Sequence, residues 1–397
     1  MMHSTLGEIC DLITDGTHQS PPTGPNGAYR YVTSKNVRPG RLDLNDITYV
    51  TAQVHASIYS SCPVKPGDVL FVKDGANTGT AALNTLTEPF SMLSSVALIR
   101  PARSRLDPTY LVRWLNSPDG QRAVTQNMSG SAIRRLVLRD IRQIRLPIPS
   151  LPEQRRIATI LDQADALRSK RVRAITHLRT LVDATFSHMF GNSDDVGHSK
   201  SDHAKLGDIA EVVSGITIGR KLNGQRTRLV PYLAVLNVKD RHLNMQTIKH
   251  VDATEDEITR YRLRPGDLVV TEGGDPDKLG RGTLWNAELG ECIHQNHIFR
   301  IRIDPTDMDP VFLCWLVGSQ RGKRYFLKSA KQTTGIASIN MTQLRDFPLL
   351  RPPLEMQRRF RAQVERIDQI TEKMKASLAK LEALYASLQH RAFTGQL

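Results

Sequence analysis

The sequence predicts an α+β protein: two tandem mixed α/β domains separated by two long antiparallel coiled-coil helices, with pseudo-two-fold symmetry. The first observation behind this prediction is that the chain repeats itself at an offset near two hundred residues. Leu-Gly-Glu-Ile at 6–9 matches Leu-Gly-Asp-Ile at 206–209, and Lys-Pro-Gly-Asp at 65–68 matches Arg-Pro-Gly-Asp at 264–267. The second observation is that each copy ends in a long segment without proline and with helical periodicity. The whole chain is therefore predicted to be a tandem duplication.

The domain boundaries follow from this repeat. We predict a first mixed domain at 1–148, a first long helix at 149–191, a linker at 192–205, a second mixed domain at 206–351, and a second long helix with a C-terminal tail at 352–397. Within the mixed domains, strand-like runs bounded by Pro and Gly predict short strands, and one short amphipathic helix is predicted in each copy. The linker is polar and rich in turn-forming residues.

The two long segments, 152–190 and 355–394, have the pattern of a coiled-coil seam. Apolar residues recur in alternating steps of four and three, and glycine occurs only where each helix would end, at Gly191 and Gly395. The first copy has the weaker seam, because two arginines fall within it. An ordinary amphipathic helix packed on its own domain is the alternative. The seam residues are Ile157, Leu161, Ile175, Leu178, Val182, Phe360, Val364, Ile367, Met374, Leu378, Leu381, Tyr385 and Leu388.

Composition favours a polyanionic partner. The chain has 54 Lys+Arg against 40 Asp+Glu, which gives a net charge of +14, and such an excess is typical of proteins that bind nucleic acid. No apolar run is long enough to span a bilayer and no signal peptide is recognisable, so a cytoplasmic location is expected. The four cysteines are scattered, which favours reduced thiols over disulfides or a zinc site.

The sequence offers little catalytic chemistry. It has no phosphate-binding loop of the P-loop type, no Gly-x-Ser-x-Gly elbow and no Asn/Asp-Pro-Pro-aromatic motif of an adenine methyltransferase. The run 292–297, Cys-Ile-His-Gln-Asn-His, is the one cluster that suggests a metal. Its side chains would alternate between the two faces of a strand and a fourth ligand is missing, so we predict no metal site.

Two loops follow the matched Pro-Gly-Asp turns and differ between the copies. They span 73–80 in the first copy and 271–282 in the second. A solvated surface loop is one interpretation of each. The other is a nucleic-acid loop whose glycines allow close approach of the backbone. Two copies of one scaffold that read two different sequences would differ in this way.

The starts of the two long helices carry a resemblance to a known family. They read Leu-Pro-Glu-Gln-Arg-Arg-Ile at 151–157 and Leu-Glu-Met-Gln-Arg-Arg-Phe at 354–360, and the helices end in Phe-Gly at 190–191 and Arg-Ala-Phe-Thr-Gly at 391–395. In these features the chain resembles the DNA specificity (S) subunits of Type I restriction–modification systems. The resemblance implies two target recognition domains, each reading one half of a bipartite DNA site, with the helices setting the gap between the halves.

The resemblance also implies partners and cofactors. Two methylation (M) subunits would dock on this chain and transfer a methyl group from S-adenosylmethionine to adenine N6, and restriction (R) subunits would add ATP-driven cleavage where they are present. On this expectation the chain has no catalytic residues and binds no cofactor itself, and S-adenosylmethionine is used by the M subunit.

Polar and basic residues in the predicted loops are the candidates for contact with DNA, because Lys and Arg hold phosphates while Asn, Gln, Arg, Lys, Glu and Asp read base edges. The alternative for each of them is a solvated charge. The candidates are Lys35, Asn36, Lys73, Asn77, Arg134, Arg135, Asn237, Lys239, Asp277, Lys278, Arg281 and Lys331.

Two other classes of function stay open at this stage. A self-contained DNA-modifying enzyme is disfavoured by the missing catalytic motifs, and it would bind S-adenosylmethionine and methylate DNA alone. A coiled-coil scaffold that binds only proteins would fail to bind DNA even beside a methyltransferase.

Overall fold

The fold is taken from a computed structural model, which describes residues 2–126, 135–191, 204–222, 224–275, 279–333 and 336–397. The chain divides into two compact units that each combine two stretches of sequence. Unit 1 contains Met1–Arg173 and Lys375–Leu397, and unit 2 contains Ala174–Met374. Each long helix therefore contributes one half to each unit. Among the described residues, no helix is long and apolar enough to cross a membrane.

The first copy is a mixed α/β domain that leads into a long helix. Its elements are β1 (His3–Thr5), α1 (Leu6–Ile9), β2 (Cys10–Asp15), β3 (Tyr29–Val32), β4 (Val37–Arg38), β5 (Arg41–Leu42), β6 (Thr48–Val50), α2 (Ala52–Ser61), β7 (Val69–Val72), β8 (Ala81–Leu83), β9 (Ser91–Met92), β10 (Val96–Pro101), α3 (Pro108–Leu115), α4 (Pro118–Gln126), α5 (Leu138–Gln143), β11 (Arg145–Pro147) and α6 (Leu151–Phe190).

The second copy repeats this order with small additions. Its elements are α7 (Leu206–Ile209), β12 (Ala210–Ser214), β13 (Arg228–Leu233), β14 (Val238–Lys239), β15 (His242–Leu243), β16 (Lys249–Ala253), α8 (Glu255–Tyr261), β17 (Leu268–Thr271), β18 (Gly273–Gly274), β19 (Gly282–Leu284), β20 (Ile293–His294), β21 (Ile298–Ile303), α9 (Pro310–Gly318), α10 (Gln320–Ser329), β22 (Lys331–Thr333), β23 (Ile336–Ser338), α11 (Met341–Arg345) and α12 (Leu354–Thr394).

The two domains share their main sheets. A four-stranded antiparallel sheet has the order β2-β10-β7-β8 in the first copy and β12-β21-β17-β19 in the second. A three-stranded sheet follows the same rule, β6-β3-β9 and β16-β13-β20, with one antiparallel and one parallel pairing in each. The central strands β7 and β17 are buried at every position, as expected for strands covered on both faces. The α+β fold class predicted from the sequence is confirmed.

The repeated Pro-Gly-Asp turn closes on an ion pair within each domain. The Asp68 carboxylate accepts hydrogen bonds from Nε and Nη2 of Arg100 at 2.8 and 2.7 Å. In the second copy, Asp267 accepts two equivalent bonds from Arg302, both at 2.7 Å. Both aspartates are almost fully buried, and a bidentate arginine compensates for the loss of water around such a carboxylate. The motif repeats because this turn is structural.

A buried glutamine at each helix start is a second duplicated device. Gln154 is fully buried, and its Oε1 accepts a hydrogen bond from the backbone N–H of Asp107 at 2.8 Å. Its Nε2 donates to the carbonyls of Arg105 and Pro149, both at 2.9 Å. One side chain thus joins the start of α6 to the loop before α3. In the second copy, Gln357 accepts from the N–H of Asp309 in the same way.

We expect the substitution Gln154→Ala to lower the free energy of unfolding by about 2–3 kcal/mol, because it leaves one buried N–H and two carbonyls without a partner. Urea unfolding monitored by circular dichroism measures this loss. The matched control is Gln163→Ala at an exposed position of the same helix, which should change stability by less than ~0.5 kcal/mol. Equal losses in the two variants would show that the buried glutamine is not a structural tie.

In unit 1, the first half of α6 packs against the last part of α12 and both pack against α3. The rings of Tyr110 and Phe393 lie 5.7 Å apart. Arg113 on α3 donates to Asp162 at 2.7 Å and Asp165 at 2.9 Å on α6, and it donates to the hydroxyl of Tyr385 on α12 at 3.2 Å. The end of the second long helix therefore completes the core of the first domain.

In unit 2, the converse packing occurs. Phe186 and Phe190, at the end of α6, surround Phe312 on α9 and Phe360 near the start of α12. Ring centroids are 4.8 Å apart for Phe190 and Phe312, and 5.3 Å apart for Phe186 and Phe360. Both of these contacts are edge-to-face, and such contacts add to the hydrophobic gain of burying the rings. The helix ends Phe190-Gly191 and Phe393-Thr394-Gly395 are alike because each phenylalanine packs in a domain core and each glycine, with φ of +77° and +78°, ends a helix.

All the seam residues named from the sequence are buried or half-buried in these units. The two arginines within the first seam, Arg168 and Arg171, are half-buried as well. The contacts of Arg168 show how the packing accommodates one of them. Its guanidinium lies 4.6 Å from the centroid of the Tyr385 ring and 3.0 Å from Asp165. Stacking and pairing together satisfy a charge that would otherwise weaken the seam.

Candidate nucleic-acid interface

Each domain carries a short hairpin directly after a 3₁₀ turn. The turns span Ser34–Asn36 and Val235–Asn237. In the β4–β5 hairpin Arg38 pairs with Arg41, and in the β14–β15 hairpin Lys239 pairs with His242. The positions at 41 and 242 are exposed, and those at 38 and 239 are half-buried. Each hairpin thus presents basic side chains next to a two-residue turn, which suits contact with phosphates.

Two of the candidate DNA contacts, Asn36 and Asn237, hold these turns together instead. Asn237 is fully buried; its Oδ1 accepts from the N–H of Ala234 at 2.8 Å, and its Nδ2 donates to the carbonyls of Asn244 and Thr247. Asn36 is 5% exposed and bonds within its own turn in the same way. Their hydrogen-bonding groups are used inside the protein, so the prediction that these two side chains contact bases is corrected.

The prediction that Lys73 contacts DNA is also corrected. Its side chain is almost fully buried, and Nζ lies 3.2 Å from Oδ2 of Asp15. A buried ammonium is tolerated only with such a partner. The lysine therefore supports the strand β7 to which it is attached, and it is not available to a phosphate.

Lys35 and Asn77 fit the predicted interface better. Both are exposed, and they line one cleft together with Arg38 of the hairpin and with Asp43 and Asp46. Arg135 is exposed too, with Nε 3.8 Å from Asp74, an ion pair that screening by water weakens. The basic hairpin residues Arg38 and Arg41 were missed in the sequence. The Pro39-Gly40 turn between them was the sequence signal that could have indicated a hairpin at this place.

In the second copy, the structure describes the side chains of fewer of the candidate DNA contacts. Lys239 lines a shallow groove with the β15 strand and the residues after it. Arg281 is half-buried immediately before β19. Lys331 lies on β22, of which only the backbone is described. The remaining candidates, Asp277 and Lys278 in this copy and Arg134 in the first copy, lie outside the described residues.

The cluster at 292–297 does not form a metal site in the part of the chain that the structure describes, where no group of three or more His, Cys, Asp or Glu residues converges. Cys292 and His294 are buried, whereas His297 is exposed and bonds to Glu272. Burial lowers the pKa of His294 to about 3 and raises the pKa of Cys292 to about 12. Both side chains are therefore neutral core residues at physiological pH.

The duplicated framework and the basic hairpins define a class: a protein with two related domains of one fold, each presenting a different surface, joined through paired helices. Comparisons with known proteins give the family. Residues 1–177 match the model of the Type I restriction modification DNA specificity domain. The StySPI specificity subunit of Salmonella potsdam is 24% identical over 391 residues, which cover 92% of this chain and 82% of that protein. The EcoKI specificity subunit of Escherichia coli K12 is 22% identical, with the same two coverages.

Solved structures agree in fold. A chain solved in work on complex assembly and conformational transition of the type I R-M system covers 100% of this chain and 98% of its own length, with a TM-score of 0.63 at 16% identity. A Type I S subunit from M. genitalium covers 99% of this chain and 96% of its own length, with a TM-score of 0.55 at 15% identity. Residues 1–177 therefore carry the Type I restriction modification DNA specificity domain, and over 92% of its length the chain is similar to the specificity subunits of such systems.

Proposed function

We propose that this chain reads a bipartite DNA site with one domain per half-site and docks two M subunits that methylate adenine N6. The observation that carries the proposal is that the framework is the same in both copies while the exposed residues at the two hairpins differ. The buried asparagine of the turn is the same in both copies, but exposed Lys35 becomes exposed Leu236 and the Pro-Gly turn becomes Asp-Arg. A shared scaffold with different surfaces is what two different half-sites require.

The chemistry of the reaction belongs to the partners in this proposal. The chain binds no cofactor, and S-adenosylmethionine is bound and used by the M subunit. All four cysteine thiols have a pKa raised by burial to about 12, so none of them is a ready nucleophile. R subunits, where they are present, join the same complex.

Reconstitution with purified proteins tests this division. The chain alone and the M subunit alone should leave DNA unmethylated at specific sites, and the mixture should methylate adenines within one bipartite sequence. Incorporation of the labelled methyl group of S-adenosylmethionine, followed by sequencing of the modified positions, measures the outcome. Turnover by the isolated chain would support the self-contained enzyme. A mixture that binds the M subunit but no DNA would support the protein-binding scaffold.

The docking surface we propose lies on the long helices beside the seam. Leu167 and Leu181 on α6 are 54% and 50% exposed, and Ile370 and Leu384 on α12 are 38% and 51% exposed. Each of the four directly precedes a seam position, and each residue on α6 has its counterpart on α12 at the offset that relates the helix starts. Unit 1 thus has Leu167 and Leu384, and unit 2 has Leu181 and Ile370. Two equivalent exposed apolar pairs fit two copies of one partner.

We expect the double substitution Leu167→Glu and Leu384→Glu to reduce the number of M subunits bound per chain from two to one, because a charge in a buried apolar contact is not compensated. Adding Leu181→Glu and Ile370→Glu should abolish binding. Mass measurement by multi-angle light scattering gives the stoichiometry. The control Gln163→Glu places the same charge on an exposed polar position of α6 and should leave two M subunits bound. Two M subunits on the four-fold variant would contradict this docking surface.

A further inference from the structure

The turn of the second hairpin contains a residue in an unfavourable backbone conformation. Arg241 has φ of +58°, in the left-handed region that residues with a side chain rarely adopt. The first hairpin has Gly40 at this position, with φ of +78° and open space around it. Glycine adopts this angle without strain, so an arginine here costs free energy that its side-chain contacts must offset.

Those contacts connect the hairpin to two helices of unit 2. The guanidinium carbon of Arg241 lies 3.4 Å from the centroid of the Trp315 ring on α9. Nη1 donates a hydrogen bond to Oδ1 of Asp183 on α6 at 2.8 Å. Trp315 is 9% exposed and the arginine side chain is 22% exposed. The stacking is therefore shielded from water, whereas the Asp183 side chain is 57% exposed and water screens the ion pair, so the stacking is the stronger contact.

Unit 1 is connected differently. Trp114 occupies the place of Trp315, but glycine replaces the arginine and Ala386 stands where the helix counterpart of Asp183 would be. The arginine that ties the first domain to the helices is Arg113, which lies on α3 and not on the hairpin. The second hairpin is therefore fixed at its own turn, whereas the first domain is fixed further from its hairpin.

We propose that Arg241 is a positioning residue for the second half-site. By holding the hairpin turn against Trp315 and Asp183, it fixes the directions of Lys239 and His242, which flank the turn and contact the DNA. The inference rests on the proposed function, since it assigns a role within the reading of one half-site. Arg241 itself does not contact a base.

The test compares Arg241→Gly with the unchanged chain, each assembled with its M subunit. The probes are duplexes that carry the methylated site of the unchanged complex, with base changes in one half-site or the other. Discrimination against changes in the second half-site should fall about five- to tenfold, as expected from the loss of one stacked and paired arginine. Discrimination at the first half-site should stay the same. The melting temperature should fall little, because glycine relieves the backbone strain.

Two further variants separate positioning from general stability and charge. Asp183→Asn keeps the stacking but removes the ion pair, so it should reduce the same discrimination by a smaller factor. Arg366→Ala removes one positive charge at an exposed position of α12 in unit 2 and should change neither half-site. Equal losses at both half-sites, or no loss at either half-site in both the Arg241 and the Asp183 variant, would overturn the role of Arg241. A complex of the unchanged chain that methylates no bipartite site would instead overturn the proposed function.

Discussion

Replacing residues 1–148 with the corresponding domain of a relative is expected to change one half-site of the methylated sequence completely and to leave the other half-site intact. The reason is that the sheets, the Pro-Gly-Asp ion pair, the hairpin and its cleft in the first domain are all formed within unit 1. Sequencing of methylated positions in DNA treated with the chimaeric complex measures the result. The retained half-site then also identifies which half belongs to the second domain.

The structure indicates how such an exchange should be made. The end of α12 packs on the first domain through Tyr110 and Arg113, so a foreign domain without these residues would lose part of its core. A second chimaera that restores both residues keeps the contact with Phe393 and Tyr385 and serves as the matched control. If both half-sites change together in a chimaera that folds and binds the M subunit, the assignment of one domain to each half-site is wrong.

Adding one heptad to each long helix, after Ile175 and after Leu378, is expected to lengthen the unread gap between the half-sites by about three base pairs. Seven residues preserve the phase of the seam and extend a helix by ~10 Å at ~1.5 Å per residue, and duplex DNA rises ~3.4 Å per base pair. Both helices are continuous through the insertion points. The bases read in each half-site should not change, because neither domain is altered.

Methylated-site sequencing measures the gap directly. The insertion also turns one half-site around the duplex relative to the other, so a fall in activity is expected even where the complex still binds. A four-residue insertion at the same two points is the control, because it breaks the phase of the seam and should destabilise the helices. An unchanged gap in a heptad variant that folds and methylates would show that the helices do not set the spacing.

The elements set by local rules were predictable from the sequence. The long helices lie at Leu151–Phe190 and Leu354–Thr394, close to the predicted 152–190 and 355–394, because an apolar period and a terminal glycine are local signals. The Pro-Gly-Asp turns follow for the same reason, with Gly67 and Gly266 at positive φ. The exchange of helix ends between the domain cores was not predicted, because it depends on contacts between residues such as Tyr110 and Phe393 that are hundreds of positions apart.

The DNA contacts were harder to predict from the sequence, since a polar side chain can either bind a ligand or support a turn. Only its burial in the structure distinguishes these two roles. Asn36, Asn237 and Lys73 are consumed by internal bonds. The repeat itself held a usable signal. Asparagine is identical at the equivalent positions of both copies and proves structural, whereas Lys35 and Leu236, one residue earlier, differ and are exposed. At this turn, the residue that is identical in the two copies belongs to the framework, and the residue that differs lies on the surface.

The proposed role of this chain is to select the DNA sequence that its complex methylates. The most direct measurement is a genome-wide map of methylated adenines in cells with the gene and in cells from which it has been deleted. One bipartite motif, two short half-sites around an unread gap, should be methylated in the first cells and unmethylated in the second, and a plasmid copy of the gene should restore its methylation. The same set of methylated motifs with and without the gene would show that this chain does not select the methylated sequence.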